Sequence, residues 1–175
     1  MRRALAAAVL AGAALVAAPA RAEVAAVSDA GFVVHLTTDV TATPAQAWAA
    51  LVVPAQWWDG EHTYSGDPAN LTLDPHPGGC FCERLPRGGG VEHMRVLYAA
   101  PGKALRLSGA LGPLQSEALT GTLTITLTPK AGGTQIAWDY VVGGYMRPKP
   151  AAIAPVVDRV LAEQLGRLKA RLARF

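Results

Sequence analysis

The residues best suited to acid–base chemistry lie in a loop-rich stretch and on the predicted strand that follows it. His62 and Tyr64 come shortly after a Trp57-Trp58 pair, and Glu83 lies in the strand predicted over residues 80–85. An imidazole, a phenol and a carboxylate can move protons in an enolisation or a dehydration. These three residues are therefore the candidate catalytic groups of a cofactor-free enzyme. The competing interpretation makes them ligand contacts or ordinary structural groups.

A pair formed by Glu83 and His93 on neighbouring strands would be a stronger acid–base arrangement. Glu83 shares a strand face with Phe81, which indicates that it points inward. In the strand predicted over residues 91–98, the more apolar alternating set is the one that contains Met94. We therefore expect His93 to point to solvent and the pair not to form.

The two cysteines, Cys80 and Cys82, are separated by one residue. On a strand such residues have nearly parallel Cβ vectors and Cα atoms near the upper limit for a bridge, so we expect two packed thiols. Together with His62, His76 and His93 they suggest a zinc site, but the spacing His76-x3-Cys80-x-Cys82 matches no standard finger. No phosphate loop or nucleotide fingerprint is present either. We predict no metal and no cofactor.

The first 22 residues have the three parts of a secretory signal peptide. Arg2 and Arg3 precede an apolar run over residues 4–18, and Ala20-Arg21-Ala22 is an Ala-x-Ala site. The run is shorter than the roughly 20 apolar residues of a membrane-spanning helix. We therefore predict cleavage after Ala22 and secretion, with the periplasm as the destination.

The excess positive charge belongs to this leader. Of 16 Lys+Arg and 13 Asp+Glu, cleavage removes Arg2, Arg3 and Arg21, so 16 − 3 = 13 basic residues remain against 13 acidic ones. A nucleic-acid partner needs a basic surface and is not expected. Residues 23–175 have the size of a single domain. We expect no transmembrane segment after cleavage, and the sequence does not indicate an oligomeric state.

Alternating apolar residues predict strands over residues 31–40, 70–73, 80–85, 91–98, 104–110, 118–128 and 134–143. Thr43-Pro44 opens a short helix, residues 55–58 form a second, and a long amphipathic helix follows Pro150. The apolar face of the sheet needs a cover, which the last helix supplies. The predicted fold class is α+β: a curved antiparallel sheet of about seven strands wrapped around the C-terminal helix.

Charged residues recur at intervals of four along the outer face of that last helix. Because residues four apart are neighbours on a helix, we expect Glu163 to pair with Arg167. Residues 143–175 hold seven basic and two acidic residues. The simplest interpretation is a solvated helix face. A protein-binding module is an alternative that depends on this asymmetry alone.

Several short motifs are similar to those of one known superfamily. They are Thr43-Pro44-Ala45-Gln46-Ala47-Trp48, Pro54-x-x-Trp57-Trp58, Gly78-Gly79-Cys80-Phe81-Cys82-Glu83 and Pro101-Gly102-x-x-Leu105-Arg106-Leu107. Over about residues 31–173 the sequence resembles the START-like, or SRPBCC, superfamily. It looks most like the branch of polyketide cyclases/dehydrases or of homologues of the heat-shock-protein ATPase activator. A signal peptide argues against a co-chaperone role, because that partner is cytosolic.

The resemblance implies a helix-grip fold with a cavity for lipids, sterols or polyketides between sheet and helix. We therefore predict binding of a small hydrophobic molecule of this kind. The alternative is a cofactor-free cyclase, dehydratase or isomerase that acts on such a ligand. The loop over residues 109–115 is a candidate entrance. The expected ligand contacts are Trp57, Trp58, His62, Tyr64, Phe81, Glu83, Leu114, Trp138 and Tyr140.

Overall fold

A computed structural model describes residues 21–174, and the side chains from residue 24 onward. Its eight strands form one antiparallel sheet in the order β1-β2-β8-β7-β6-β5-β4-β3. The strands are β1 (Arg21–Ser28), β2 (Gly31–Val40), β3 (Leu71–Leu73), β4 (Cys80–Arg84), β5 (Gly90–Ala100), β6 (Ala104–Ser108), β7 (Ala118–Lys130) and β8 (Gly133–Tyr145). The α-helices are α1 (Pro44–Leu51) and α2 (Pro150–Leu172). The predicted α+β class is confirmed.

The inner face of the sheet follows from strict alternation in its long strands. In β7, Leu123, Ile125 and Leu127 are buried, while the threonines between them lie on the outer face. In β8 the buried set includes Trp138 and Tyr140. Because successive side chains of a strand point to opposite faces, each strand contributes one apolar row to the core.

The helix α1 begins with a capping box. The Thr43 hydroxyl accepts a hydrogen bond from the backbone N–H of Gln46, and the Gln46 side chain accepts one from the backbone N–H of Thr43. Pro44 occupies the first helical position, where no N–H is needed. This confirms the predicted helix start. The second predicted helix is a 3-10 turn, Pro54–Gln56.

The helix α2 packs against β1, β2 and α1. Its buried residues recur at helical spacing and include Ala154, Leu161, Leu165, Leu168 and Leu172. This row covers the apolar face of the sheet, as the amphipathic pattern predicts. Within residues 21–174, no helix is long and apolar enough to cross a membrane.

The strand β1 is absent from the sequence-based prediction. Its sequence, RAEVAAVS, is rich in alanine and lacks a clear alternation, yet it pairs with β2 through a register shift between Val24 and Ala26. The predicted cleavage after Ala22 would leave residues 23–28 of this strand. The rest of the predicted signal peptide, residues 1–20, lies outside the described residues.

Candidate functional site

A cavity lies between the inner face of the sheet and the chain segment that follows α1. All of its lining residues are apolar or aromatic: Leu51, Pro54, Trp57, Trp58, Leu73, Phe81, Met94, Leu105, Leu107, Leu111, Leu123, Ile125 and Trp138. Its volume is about 30 Å³. Ligand pockets usually measure about 300–1,000 Å³, so the side chains nearly fill this one.

Four aromatic rings form one part of the wall. The centroid of Trp57 lies 5.5 Å from that of Trp58 and 6.1 Å from that of Trp138, and Trp58 lies 5.4 Å from Phe81. Four of the expected ligand contacts thus meet at the cavity. All four rings are also buried, so they serve as core residues at the same time.

Glu83 and His93 form a buried pair beside this cavity. The Nε2 atom of His93 lies 2.9 Å from Oε2 of Glu83, and the side chains are 6% and 0% exposed. The prediction that His93 points to solvent is therefore wrong, whereas the inward orientation of Glu83 is confirmed. Neither residue lines the cavity, whereas Phe81, whose ring lies 5.0 Å from the imidazole, does.

A β-bulge explains the wrong prediction for His93. The register pairs Phe81 with Met94 and Cys82 with Glu92, which leaves His93 as an extra residue on β5. A bulge breaks the alternation of side chains along a strand. As a result, the consecutive residues His93 and Met94 are both buried.

The Glu83 carboxylate is surrounded by donors. The backbone N–H of Tyr64 donates to Oε2 over 3.1 Å, and that of Ser65 donates to Oε1 over 2.5 Å. Burial alone would raise the pKa of Glu83, but the hydrogen bonds from Ser65, Tyr64 and His93 outweigh it and lower this pKa. Burial lowers the pKa of His93, although the bond to Glu83 opposes that shift. At neutral pH the pair is a carboxylate that accepts a bond from a neutral imidazole.

Tyr64 connects two loops at the rim of the cavity. Its hydroxyl donates to the backbone oxygen of Gly112 over 2.9 Å, while its ring lies 6.0 Å from that of His93. The residue is 52% exposed, so Tyr64 is a rim residue and not part of the cavity wall. Leu114 is buried in the 3-10 turn Gly112–Ser116 of the opposite loop, where Leu111 lines the cavity.

The segment over residues 54–66, hereafter the roof, is also attached to α2. Arg167 lies 3.0 Å from the carboxylate of Asp59 and donates to the backbone oxygen of Trp57 over 3.1 Å. The Gln164 side-chain oxygen accepts from the backbone N–H of Asp59 over 2.9 Å. His62 lies 3.3 Å from Glu163. The expected pairing of Glu163 with Arg167 is thus replaced by contacts from both residues to the roof.

Tyr140 is fully buried and binds the loop that follows β6. Its hydroxyl donates to the backbone oxygen of Gly109 and accepts from the N–H of Leu111, each over 3.2 Å. Burial raises the pKa of Tyr140 to about 12. The phenol stays protonated near neutral pH and holds the loop that carries Leu111, outside the cavity lining.

Cys80 and Cys82 form a disulfide, so the expectation of two packed thiols is wrong. Their Cα atoms lie 5.4 Å apart, inside the usual range for a bridge. A fully extended strand would separate them by about 6.7 Å. The shorter distance accompanies the register shift between Phe81 and Cys82. Both cysteines are half-buried on the outer face, whereas the side chain of Phe81 between them is buried on the inner face.

No group of three or more His, Cys, Asp or Glu side chains is arranged to hold a metal ion in residues 21–174. The residues considered for a zinc site have other partners: His62 contacts Glu163, His76 contacts Asp74, and His93 contacts Glu83.

Several residues of the cavity and the roof carry no recognisable signal in the sequence. Most of the cavity wall consists of aliphatic side chains such as Leu105, Leu107 and Leu123. Strand alternation places these residues on the inner face, but nothing in a leucine distinguishes a cavity wall from close packing. Gln164 and Arg167 hold the roof, but the sequence indicates only that they lie on an amphipathic helix.

Residues 32–173 match the family model described as polyketide cyclase/dehydrase and lipid transport. A search of curated proteins finds no match. Among solved structures, a protein from Rhodobacter sphaeroides is 23% identical with a TM-score of 0.56, and the alignment covers 88% of this chain and 99% of that chain.

Two further solved structures show the same fold. A protein from Rhizobium leguminosarum is 17% identical with a TM-score of 0.59, over 90% of this chain and all (100%) of that chain. A protein from Chromobacterium violaceum is 19% identical with a TM-score of 0.57, over 81% and 96%. Similarity at this level shows a shared fold alone. The family model covers most of the chain, and the chain therefore belongs to the SRPBCC-type polyketide cyclase/dehydrase and lipid transport family.

Proposed function

We propose that this protein is exported and binds a small hydrophobic molecule, such as a lipid, a sterol or a polyketide-like compound, in the cavity under the roof. The observation that carries the proposal is the cavity itself, whose wall is entirely apolar and includes Trp57, Trp58, Phe81 and Trp138. A wall of this composition stabilises an apolar ligand by removing its surface from water. Membership of a family that includes lipid transport supports the same class of ligand.

Ligand entry requires the cavity to grow, because about 30 Å³ accommodates little more than one water molecule. The roof is the segment suited to move. Polar contacts hold it in place, from Asp59 to Arg167 and from the Tyr64 and Ser65 amides to Glu83. Breaking a few of these contacts would let Trp57 and Trp58 swing away from the sheet and open space below them.

Export is supported by sequence and by chemistry. The basic start, the apolar run and the Ala-x-Ala site have the order of a secretory leader. The disulfide between Cys80 and Cys82 fits an oxidising compartment such as the periplasm, since cytosolic thiols are usually kept reduced.

A cofactor-free cyclase, dehydratase or isomerase is the second candidate, and the Glu83–His93 pair is the observation that favours it. An ionised carboxylate that orients a neutral imidazole is an arrangement suited to general base catalysis. However, neither residue of the pair lines the cavity, and Glu83 already accepts three hydrogen bonds. Ligand binding therefore remains the first proposal.

A protein-binding module is the weakest alternative. Two of the basic residues that suggested it have acidic partners within the chain, because Arg147 contacts Glu117 and Arg167 contacts Asp59.

The test begins with protein purified from the periplasm, extracted with organic solvent and analysed by mass spectrometry. We expect a co-purifying lipid or polyketide-like molecule and saturable binding of the fluorescent probe phenylnaphthylamine. Leu107→Phe, which adds volume to the cavity wall, should weaken binding of the probe. Leu97→Phe is the matched control, because Leu97 is 54% exposed on the neighbouring strand. Absence of any co-purifying molecule, together with no saturable binding by the unmodified protein, would contradict the proposal.

The enzyme candidate predicts a different result. Turnover of a polyketide-like substrate by the purified protein, lost in His93→Gln with the fold retained by circular dichroism, would favour catalysis over carriage.

A further inference from the structure

The disulfide lies on the outer face of β4, away from the cavity. Cys80, Cys82 and Arg84 share this face, while Phe81 and Glu83 are buried on the inner one. Both cysteines are partly exposed, and the helix α2 covers the opposite face of the sheet. A molecule in solution therefore reaches the bridge without any opening of the cavity or the roof.

The bridge contributes little to the stability of the fold. Cys80 and Cys82 are two positions apart in the sequence, so the disulfide closes a very short loop. A disulfide stabilises a protein mainly by restricting the unfolded chain, and this effect grows with the length of the loop. Both residues also belong to β4, which pairs with β5 from Cys80 to Arg84. The bridge thus joins two residues that the sheet already holds together, rather than two distant segments.

Opening of the bridge leaves the two thiols close to each other. Their Cα atoms lie 5.4 Å apart on a paired strand, so the bridge can form again without a rearrangement of the backbone. Exposed disulfides are also reduced more readily than buried structural ones. A partly exposed bridge on a paired strand is therefore suited to pass between an oxidised and a reduced state while the fold stays the same.

The charged neighbours of the two cysteines differ. In the register of β4 and β5, Arg95 lies opposite Cys80, and Glu92 lies opposite Cys82. Arg95 pairs with Glu92 and also donates to the backbone oxygen of Gly78 over 3.0 Å, which keeps its guanidinium at the Cys80 end of the strand. Residues opposite each other on one face of a sheet are close neighbours. Because a nearby cation stabilises a thiolate, Cys80 is the cysteine better suited to leave as one.

We propose that the bridge between Cys80 and Cys82 is a redox-active disulfide that oxidises a pair of thiols on a substrate. A substrate thiolate attacks Sγ of Cys82, the bond between the two cysteines breaks, and its electron pair leaves on Sγ of Cys80 beside Arg95. The second substrate thiolate then attacks the substrate sulfur of this mixed disulfide and expels Cys82 as a thiolate.

The exchange is balanced in electrons and protons. The substrate gains a disulfide and loses two electrons and two protons. Cys80 and Cys82 receive the two electrons and take up two protons from solvent. A small disulfide such as oxidised glutathione restores the bridge by the same exchange in reverse, and is itself reduced to two thiols. This activity requires no ligand in the cavity, so it is independent of the proposed binding function.

The first experiment incubates the purified protein with millimolar reduced glutathione in the absence of oxygen. Free thiols at Cys80 and Cys82 are counted by alkylation and mass spectrometry. We expect the bridge to open while the far-UV circular dichroism and the thermal unfolding temperature stay nearly unchanged. A structural bridge would resist glutathione, or its reduction would unfold the protein. Either result would overturn the proposal.

The second experiment follows the oxidation of a peptide that carries two cysteines, with oxidised glutathione in excess and the protein in catalytic amount. We expect the protein to accelerate this reaction several-fold over glutathione alone, and the double variant Cys80→Ser, Cys82→Ser to give no acceleration. The same double variant should still bind phenylnaphthylamine, which tests the proposed function separately. No acceleration by the unmodified protein would overturn the redox activity and leave hydrophobic binding intact.

A matched pair of arginine variants tests the direction of attack. Arg95 and Arg106 are both exposed on the outer face, but Arg106 lies on β6 opposite Tyr98 and faces neither cysteine. Arg95→Gln should slow the opening of the bridge by glutathione about three-fold, because the Cys80 thiolate loses its neighbouring cation. Arg106→Gln should leave this rate unchanged. Equal rates in the two variants would overturn the assignment of Cys80 as the leaving thiolate.

Discussion

The imidazole of His93 and the carboxylate of Glu83 meet over 2.9 Å inside a bulge of β5. Through this contact the sheet supports the roof, because the same carboxylate accepts the backbone N–H groups of Tyr64 and Ser65. The pair therefore joins three parts of the chain, β4, β5 and the roof, at one side of the cavity.

Replacing Glu83 with glutamine should destabilise the protein. The new side-chain amide would keep one acceptor oxygen but turn an NH₂ group towards donors from Tyr64, Ser65 or His93. Loss of a buried, charge-assisted acceptor leads us to expect a decrease of about 3 kcal/mol in the free energy of unfolding, measured by urea denaturation. Glu92→Gln is the control on the outer face, where the carboxylate pairs with Arg95, and it should change stability by less than about 1 kcal/mol. Equal effects of the two substitutions would contradict the structural role of Glu83.

The stability of the protein should fall as the pH drops from about 7 to 5, in part because of His93. Burial holds the pKa of His93 below 6.5 in the folded state, so the unfolded chain takes up a proton at a pH where the native imidazole stays neutral. The free energy of unfolding is therefore highest above the unfolded pKa. Below it, one such group lowers this free energy by at most about 1.4 kcal/mol per pH unit, until the folded pKa is reached.

The matched variant for this prediction is His93→Gln, whose amide can still donate to Glu83 but does not titrate. Its unfolding free energy should decline less steeply between pH 7 and 5 than that of the unmodified protein. Glu83 does not affect this comparison. Because its pKa is lowered in the folded state, its contribution to the unfolding free energy is lost only below about pH 4.5. Parallel pH profiles for the two proteins would show that His93 does not contribute.

Removing the contacts of Arg167 should loosen the roof without unfolding the molecule. In Arg167→Met the helix α2 loses its contacts with Asp59 and with the backbone oxygen of Trp57. The ion pair is partly exposed, so we expect an effect of about 1 kcal/mol, or a roughly five-fold faster hydrogen exchange of the roof amides. Arg159→Met, on the exposed face of the same helix, should leave that exchange unchanged. Equal exchange in the Arg167 variant and the unmodified protein would show that Arg167 does not hold the roof.

Two glycine-to-alanine substitutions should have opposite signs. A Cβ atom at Gly121 would lie 2.6 Å from the hydroxyl oxygen of Tyr140, so Gly121→Ala forces this buried ring to move. We expect a loss of about 1–3 kcal/mol from overpacking. At Gly166, inside α2, a Cβ would meet no atom within 4 Å, so Gly166→Ala should stabilise the protein by about 0.5–1 kcal/mol through helix propensity. Thermal unfolding measures both, and a stabilising Gly121→Ala would contradict the packing around Tyr140.

Much of the fold can be predicted from local patterns. The alternation in β7 and β8 places Leu123 and Trp138 on the inner face, and Thr43-Pro44 marks the start of α1. These predictions succeed because the side-chain period of a regular strand or helix is a property of the backbone itself. The alanine-rich sequence of β1 does not alternate clearly between apolar and polar residues, so it does not predict a strand. Its place at the edge of the sheet depends on pairing with β2.

Local patterns in the sequence are sufficient to predict the sheet with its apolar inner face, the covering helix and the aromatic residues that meet between them. The folded structure shows three further contacts, which join His93 to Glu83, Cys80 to Cys82, and Arg167 to the roof. The first two accompany a bulge, which adds one residue to a strand and reverses the expected orientation, and its position is set by register with a neighbouring strand. The third joins two segments that are far apart in the sequence, so no local pattern predicts it.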